Sequence, residues 1–233
     1  MEQVAISRFI TKKFQVSEAM KTLRTNLMFS GPQYKVIGLT SFSAAEGKST
    51  VALQLAASLA QTGKRVLLVD ADLRKSVLVN RLRIHSKVLG LSHYLSGQAK
   101  KSELINETDV PGLYLMFAGT RVTNAAELLG SEEFGKMTGE LKKVFDYVIV
   151  DAAPVGQVID CAVMAPALDG ILLVIDTTHN SYKLERRIKQ QLEMAGAKIL
   201  GVVLNKVDME DRGGYYGKAY GYGYGEGYGD IEK

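Results

Sequence analysis

Six short, β-branched apolar runs set the strongest limit on what this 233-residue chain can become: residues 36–39, 65–69, 113–117, 146–150, 171–175 and 199–204. Each run is nearly continuous rather than alternating, as a strand covered on both faces must be. Between them lie segments of helical period at 49–61, 125–144, 159–167 and 182–195, with a further amphipathic helix predicted at 16–29 ahead of the first strand. Strands separated by helices give an α/β fold, a mostly parallel sheet with helices on both faces. Right-handed crossovers then bring every strand's carboxyl end to one edge, where ligands bind. There are no internal repeats.

The first loop on that edge reads Ser41-Phe42-Ser43-Ala44-Ala45-Glu46-Gly47-Lys48-Ser49-Thr50 and opens a helix. Gly-Lys-Ser in a strand–loop–helix context is a P-loop, the signature of a P-loop NTPase. Backbone N–H groups and the helix dipole receive phosphates, Lys48 reaches the β- and γ-phosphates, and the Ser49 hydroxyl faces Mg²⁺. The usual first glycine is replaced by Phe42. The predicted nucleotide-binding residues are Ser43, Ala44, Ala45, Glu46, Gly47, Lys48, Ser49 and Thr50, with Lys48 expected at a solvent-facing edge.

Two later strands end in carboxylates: Val69-Asp70-Ala71-Asp72-Leu73-Arg74 and Val150-Asp151-Ala152-Ala153-Pro154. One Asp after a strand is often a turn residue or helix cap. Three at two strand ends beside a P-loop point to metal and proton chemistry. Asp151 is expected to act on the outer shell of Mg²⁺, Asp70 to assist with the metal, and Asp72 to accept the proton of an attacking hydroxyl. Asn205-Lys206-Val207-Asp208 closes the last strand. This pattern reads guanine in GTPases, an Asn here can equally bond adenine, and a turn-forming Asn and Asp is the plain alternative; Asn205 is expected at a nucleotide base.

Composition narrows the class further. With 46% hydrophobic residues, the chain can build one well-packed domain. A net charge of +4 and a pI near 9.0 suit anionic partners. No basic cluster interleaved with aromatics marks the folded part, which argues against nucleic acid. Cys161 is the sole cysteine, so no internal disulfide forms, and a buried inert thiol is expected. No signal peptide and no run of about 20 apolar residues is present, giving the expectation of a cytoplasmic protein.

The C-terminal stretch differs in kind. From Gly213 onward glycine alternates with tyrosines 215, 216, 220, 222, 224 and 228, and almost nothing apolar accompanies them. Such a segment is expected to stay disordered. Its bland reading is an adhesive low-complexity tail; the sharper one makes Tyr215, Tyr216, Tyr220, Tyr222, Tyr224 and Tyr228 phosphorylation sites. A leash of 10–20 residues spans roughly 17–25 Å at about 5–6 Å × √n, which reaches the chain's own site or a neighbour's. The chain is therefore divided into residues 1–30, an N-terminal helical segment; 31–208, a P-loop domain; and 209–233, the tail.

A P-loop, strand–Asp-x-Asp-x-Arg, strand–Asp-x-x-Pro and a tyrosine cluster together resemble the bacterial tyrosine kinases of capsular and exopolysaccharide synthesis, whose fold is deviant-Walker ATPase-like. The stretches Ser17–Asn26 and Asn124–Leu129 share in the resemblance, which runs from Ser17 to Tyr228. It implies ATP- and Mg²⁺-dependent autophosphorylation of the tail, in trans within a ring, with Lys48, Asp70 and Asp72 catalytic and Ser49, Asp70 and Asp151 at the metal. It also implies a membrane polysaccharide co-polymerase as activator, recruitment by it to the inner face of the plasma membrane, and a cognate tyrosine phosphatase. The short form is similar to the two-component Gram-positive arrangement. The family's loop often carries Pro-Gly where Ala44-Ala45 stand, and its Asp-x-Pro-Pro is Asp151-Ala152-Ala153-Pro154. Its Glu-x-x-Arg-x-x-Arg oligomer motif is Glu18, Lys21 and Arg24. These fall on one helix face, where a plain Glu18–Lys21 surface pair is the alternative. A partitioning or division-site ATPase is the rival reading, although its extra loop lysine is missing; a GTPase rests only on the Asn205–Asp208 pattern.

Overall fold

The computed structural model describes residues 3–84, 88–178 and 182–207. In chain order the elements are α1 (Phe14–Phe29), β1 (Val36–Ser41), α2 (Lys48–Ala60), β2 (Val66–Asp70), α3 (Leu78–Arg81), α4 (Leu91–Leu95), β3 (Asn106–Glu107), β4 (Leu113–Met116), α5 (Ala125–Leu129), α6 (Glu132–Val144), β5 (Tyr147–Asp151), α7 (Asp160–Met164), β6 (Gly170–Asp176), α8 (Tyr182–Met194) and β7 (Ile199–Asn205). They build one seven-stranded sheet of order β3-β4-β2-β5-β1-β6-β7. Only the two-residue β3 runs antiparallel, against β4.

The central strands are apolar throughout because both of their faces are covered. Ile37, Leu39 and Leu68 point into a cluster with Leu53, Ala56 and Leu59 of α2. Their sequence neighbours Val36, Leu67 and Val69 join Phe134, Met137 and Leu141 of α6 in the other cluster. Register aligns the ends of β2 and β5, with Asp70 opposite Asp151, and β1 lies between β5 and β6. The loop that leaves β1 therefore emerges beside the strand ends that carry the carboxylates.

The predicted helix 125–144 is two helices. Gly130-Ser131 interrupts it, and Ser131 caps α6 by accepting the Phe134 N–H, with Glu132 and Glu133 in the first turn suiting the helix dipole. Apolar spacing alone runs through the break, since Leu129, Phe134, Met137 and Leu141 are all buried. The segment predicted as helical at 159–167 holds α7 and then a 3₁₀ turn at Ala165–Ala167, where Pro166 lacks the N–H an α-helix needs.

The N-terminal segment is stitched to the body. Asp109 accepts the Ile6 and Ser7 N–H groups at 2.7 and 3.0 Å, and Gln54 of α2 bonds the backbone of Phe9 and Thr11. Arg24 of α1 donates to the Ser58 carbonyl of α2 at 2.7 Å. Among the described residues no helix is long and apolar enough to cross a membrane.

Candidate functional site

The P-loop owes its shape to its own side chains. The Glu46 carboxylate accepts the N–H groups of Phe42 and Ser43 at 3.2 and 3.0 Å, and Ser41 Oγ donates to the Ser43 carbonyl at 2.7 Å. Two residues take left-handed backbone, Ala45 at φ +65° and Gly47 at φ +93°. Gly47 is required twice over, because a Cβ there would also lie 2.1 Å from Asn205 Nδ2. Asn205, at the end of β7, donates that amide to the Glu46 carbonyl at 2.8 Å. The residue expected at the base thus touches the phosphate loop itself. Beyond Gly47, α2 runs for 13 residues and aims its free N–H groups and dipole at the loop.

Lys48 is buried, not solvent-facing as its loop position suggested, because two carboxylates hold it. Its Nζ lies 3.3 Å from Asp151 Oδ1 and 3.4 Å from Asp72 Oδ2. Burial works against the ammonium, but Asp151, Asp72 and Asp70 outweigh it and keep the pKa above the ordinary value. Asp70 has its pKa raised to about 7, first by burial and then by the Asp151 charge beside it, against a hydrogen bond from Ser76. Burial also lifts Asp151, opposed by Lys48 and a hydrogen bond with Ser49. The three carboxylates expected together are together, with Ser49 Oγ beside them, and the cluster is short of positive charge.

Two further contacts had no assigned role in the sequence reading. Arg74 grips the fully buried Asp160 with both arms, Nε to Oδ2 at 2.7 Å and Nη2 to Oδ1 at 2.9 Å, tying the β2 loop to α7. Arg74 was visible in the Asp-x-Asp-x-Arg pattern, and the buried Asp160 carboxylate that follows the β5 loop needs a cation of this kind. Arg81 donates to Thr50 Oγ1 at 2.7 Å. Lys48, Ser49, Asp72, Lys75, Arg81 and Pro154 are among the residues lining a cavity of about 530 Å³ at this edge. That volume falls within the usual range for small-molecule sites.

The remaining predicted residues lie apart. Glu18 and Lys21 form an exposed pair at 2.7 Å, the plainer of the two expectations, and the Arg24 guanidinium is turned inward to Ser58. Cys161 is buried, which pushes its thiol up to about 12. Tyr215, Tyr216, Tyr220, Tyr222, Tyr224 and Tyr228, like Asp208, lie outside the described residues.

Comparison with known proteins agrees with this geometry. A family model described as an AAA domain matches residues 34–199. The tyrosine-protein kinase CpsD of Streptococcus agalactiae is 40% identical over 194 residues, 83% of this chain and 85% of that protein. The kinase domain of the Escherichia coli tyrosine kinase ETK superposes with a TM-score of 0.79 at 33% identity, covering 89% of this chain and 80% of that one. The septum site-determining protein MinD of Pyrococcus horikoshii OT3, solved with Mg-ADP, gives a TM-score of 0.62 at 23% identity over 73% of this chain and 69% of that one, a likeness of fold alone. The rival partitioning-type reading shares the architecture, whereas CpsD and ETK, at higher identity, are named tyrosine kinases. The chain belongs to the bacterial tyrosine-protein kinases of capsule and exopolysaccharide biosynthesis.

Proposed function

We propose that this tyrosine kinase uses ATP with Mg²⁺ to phosphorylate Tyr215, Tyr216, Tyr220, Tyr222, Tyr224 and Tyr228 of its own sequence, between protomers of a ring. The observation that carries the reading is Lys48, a residue lining the cavity, held between Asp72 and Asp151. The residues fit the cofactor. The loop offers backbone N–H groups in left-handed turns, a helix N-terminus and an ammonium to phosphates. Ser49 and the positive-charge-deficient pair Asp70 and Asp151 suit Mg²⁺.

When bound, Mg-ATP supplies the transferable phosphoryl group and shields its charge. Lys48 and the loop amides stabilise the negative charge that shifts toward the β–γ bridging oxygen. Asp72 orients the phenol, whose O–H bond breaks as its oxygen joins phosphorus; the proton passes to Asp72 and the displaced oxygen leaves with ADP. A phenol has a pKa near ~10, so an oriented base matters at neutral pH. The proposed role of Asn205 at the adenine base would require its amide to leave the Glu46 carbonyl.

Around this reaction the family resemblance supports the wider reading: a cytoplasmic kinase brought to the inner membrane face by a polysaccharide co-polymerase, reversed by a tyrosine phosphatase, regulating polymer synthesis and export. Glu18, Lys21 and Arg24 are the proposed ring contact. The test of transfer between protomers mixes Lys48→Met protein, its tail intact, with active protein whose six tail tyrosines are all changed to Phe. Phosphotyrosine on the Lys48→Met chain is expected; none on it, with the wild-type tail modified normally, would restrict transfer to within one chain.

A further inference from the structure

The wall of the cavity beside Asp72 carries positive charge that no carboxylate among the described residues neutralises. Lys48 is held by Asp72 and Asp151, and Arg74 by Asp160. Lys75 is exposed, and neither it nor Arg81 meets a carboxylate among the described residues, though both line the cavity. The Lys75 backbone N–H donates to Asp72 Oδ1 at 2.9 Å, so its ammonium stem starts one turn from the proposed base. Val77, 53% exposed, adds apolar surface to the same wall.

The acceptor sequence has the complementary charge and a regular spacing. From Asp208 to Lys233, six acidic residues accompany only three basic ones, in a chain whose total is +4. Tyr220, Tyr222, Tyr224, Glu226 and Tyr228 stand at every second position, glycine between them. In an extended chain alternate residues project to the same side, about 7 Å apart. A phenol delivered to Asp72 from such a strand carries its second neighbour along the same wall.

We propose that Lys75 and Arg81 form a subsite for an anionic side chain two residues C-terminal to the acceptor tyrosine, occupied first by Glu226 or Asp230 and then by phosphotyrosine. The inference rests on the reading of the tail as substrate. Tyr224 has Glu226, and Tyr228 has Asp230, two residues toward the C-terminus, and both tyrosines react first. Phosphorylated Tyr224 then fills the subsite while Tyr222 reacts, and phosphorylated Tyr222 does so for Tyr220. Each step is the transfer balanced above, one ATP consumed and one ADP released. A phosphotyrosine brings about −1.5 to −2 charges against the single charge of Glu226, so each product makes a better-anchored neighbour. Tyr215 and Tyr216 have only glycine or Lys218 two residues away and are modified last. Modification thus travels from the C-terminal end toward the body.

The experiment uses the full-length kinase and peptides copying residues 217–230. In one pair Tyr222 is the only free phenol, Tyr220 and Tyr228 being changed to Phe, and Tyr224 is either phosphorylated or changed to Phe. In a second pair Tyr224 is the only free phenol, and Glu226 is kept or changed to Gln. The phosphorylated peptide is expected to exceed its partner about tenfold in kcat/KM, and Glu226→Gln to cost about threefold, magnitudes ordinary for one or two charge-assisted hydrogen bonds. The first pair isolates the phosphate and the second the carboxylate. Lys75→Ala and Arg81→Ala should each bring the phosphorylated-to-plain ratio toward one; Lys75 is exposed, so its loss leaves the fold intact. Equal wild-type rates on both members of the first pair, or a ratio that survives both substitutions, overturns the subsite while the tail remains a substrate. Failure of the wild-type kinase to modify any peptide or its own tail overturns the tail reading, and the subsite with it.

Discussion

At the scale of single residues, the loop carries a strain that the chemistry does not need. Ala45 sits at φ +65°, where a Cβ crowds the following carbonyl, in a position that the family often gives to glycine. Ala45→Gly should raise stability by about 0.5–1 kcal/mol, the cost of a left-handed alanine net of glycine's extra unfolded freedom, and thermal melting would reveal the opposite sign. Asp72 offers a sharper test. Asp72→Asn keeps the loop contact with the Lys75 N–H but cannot take a proton, so kcat should fall at least ~100-fold while ATP affinity changes little. An equal loss of nucleotide affinity would make Asp72 a metal ligand. These residues were legible in sequence because strand-end carboxylates and Gly-Lys-Ser are short-range patterns. The burial of Lys48 and the Asn205–Glu46 bond were not, since both depend on which strand lies beside which.

At the scale of elements, the sheet's amino-terminal edge is pinned by one carboxylate. Asp169, just before β6, accepts the N–H groups of Lys35 and Val36 at 2.9 and 2.8 Å and pairs with Lys142 of α6. Burial would raise its pKa, but the Lys142 bond and the two N–H donors together win and lower it. A carboxylate depressed on folding adds stability that is full above its unfolded pKa and is lost as pH falls through the folded value. Its share should therefore begin to fall near about pH 4 and be gone once pH drops below the lowered folded value, and Asp169→Asn should flatten that acid limb of the urea-stability profile. An unchanged slope would show that Asp169 does not pin the edge. All six apolar runs became strands, because continuous β-branched segments have few alternatives to burial in a parallel sheet. Periodicity could not see the break at Gly130-Ser131, where apolar spacing continues across a cap, nor the two-residue β3, too short to show any period.

At the scale of the whole molecule, the proposed reaction would couple tail charge to assembly. Six phosphotyrosines add roughly −9 to −12 charges, which reverses the formal +4 of the chain. Unmodified tails docked in neighbouring sites would help tether a ring; once every tyrosine is modified, only a phosphate could enter beside Asp70, Asp72, Asp151 and nucleotide phosphate, a repulsion that would outweigh the pull of Lys75 and Arg81. Light scattering should give a large species for Lys48→Met protein and a monomer for the fully phosphorylated chain, and equal masses would disprove the coupling. The ring is the part of the account that sequence reaches least, since Lys21 lacks the planar fork of Arg and Arg24 is turned to Ser58. The central claim, that the Lys48–Asp72–Asp151 cluster transfers phosphate to the chain's own tail, meets its most direct test in one measurement. Purified wild-type and Lys48→Met proteins are incubated with γ-labelled ATP and Mg²⁺, and the labelled residues are mapped by mass spectrometry. Label confined to the tail tyrosines of the wild type and absent from Lys48→Met is the predicted result; equal labelling of both proteins, or none on any tail tyrosine, would contradict it.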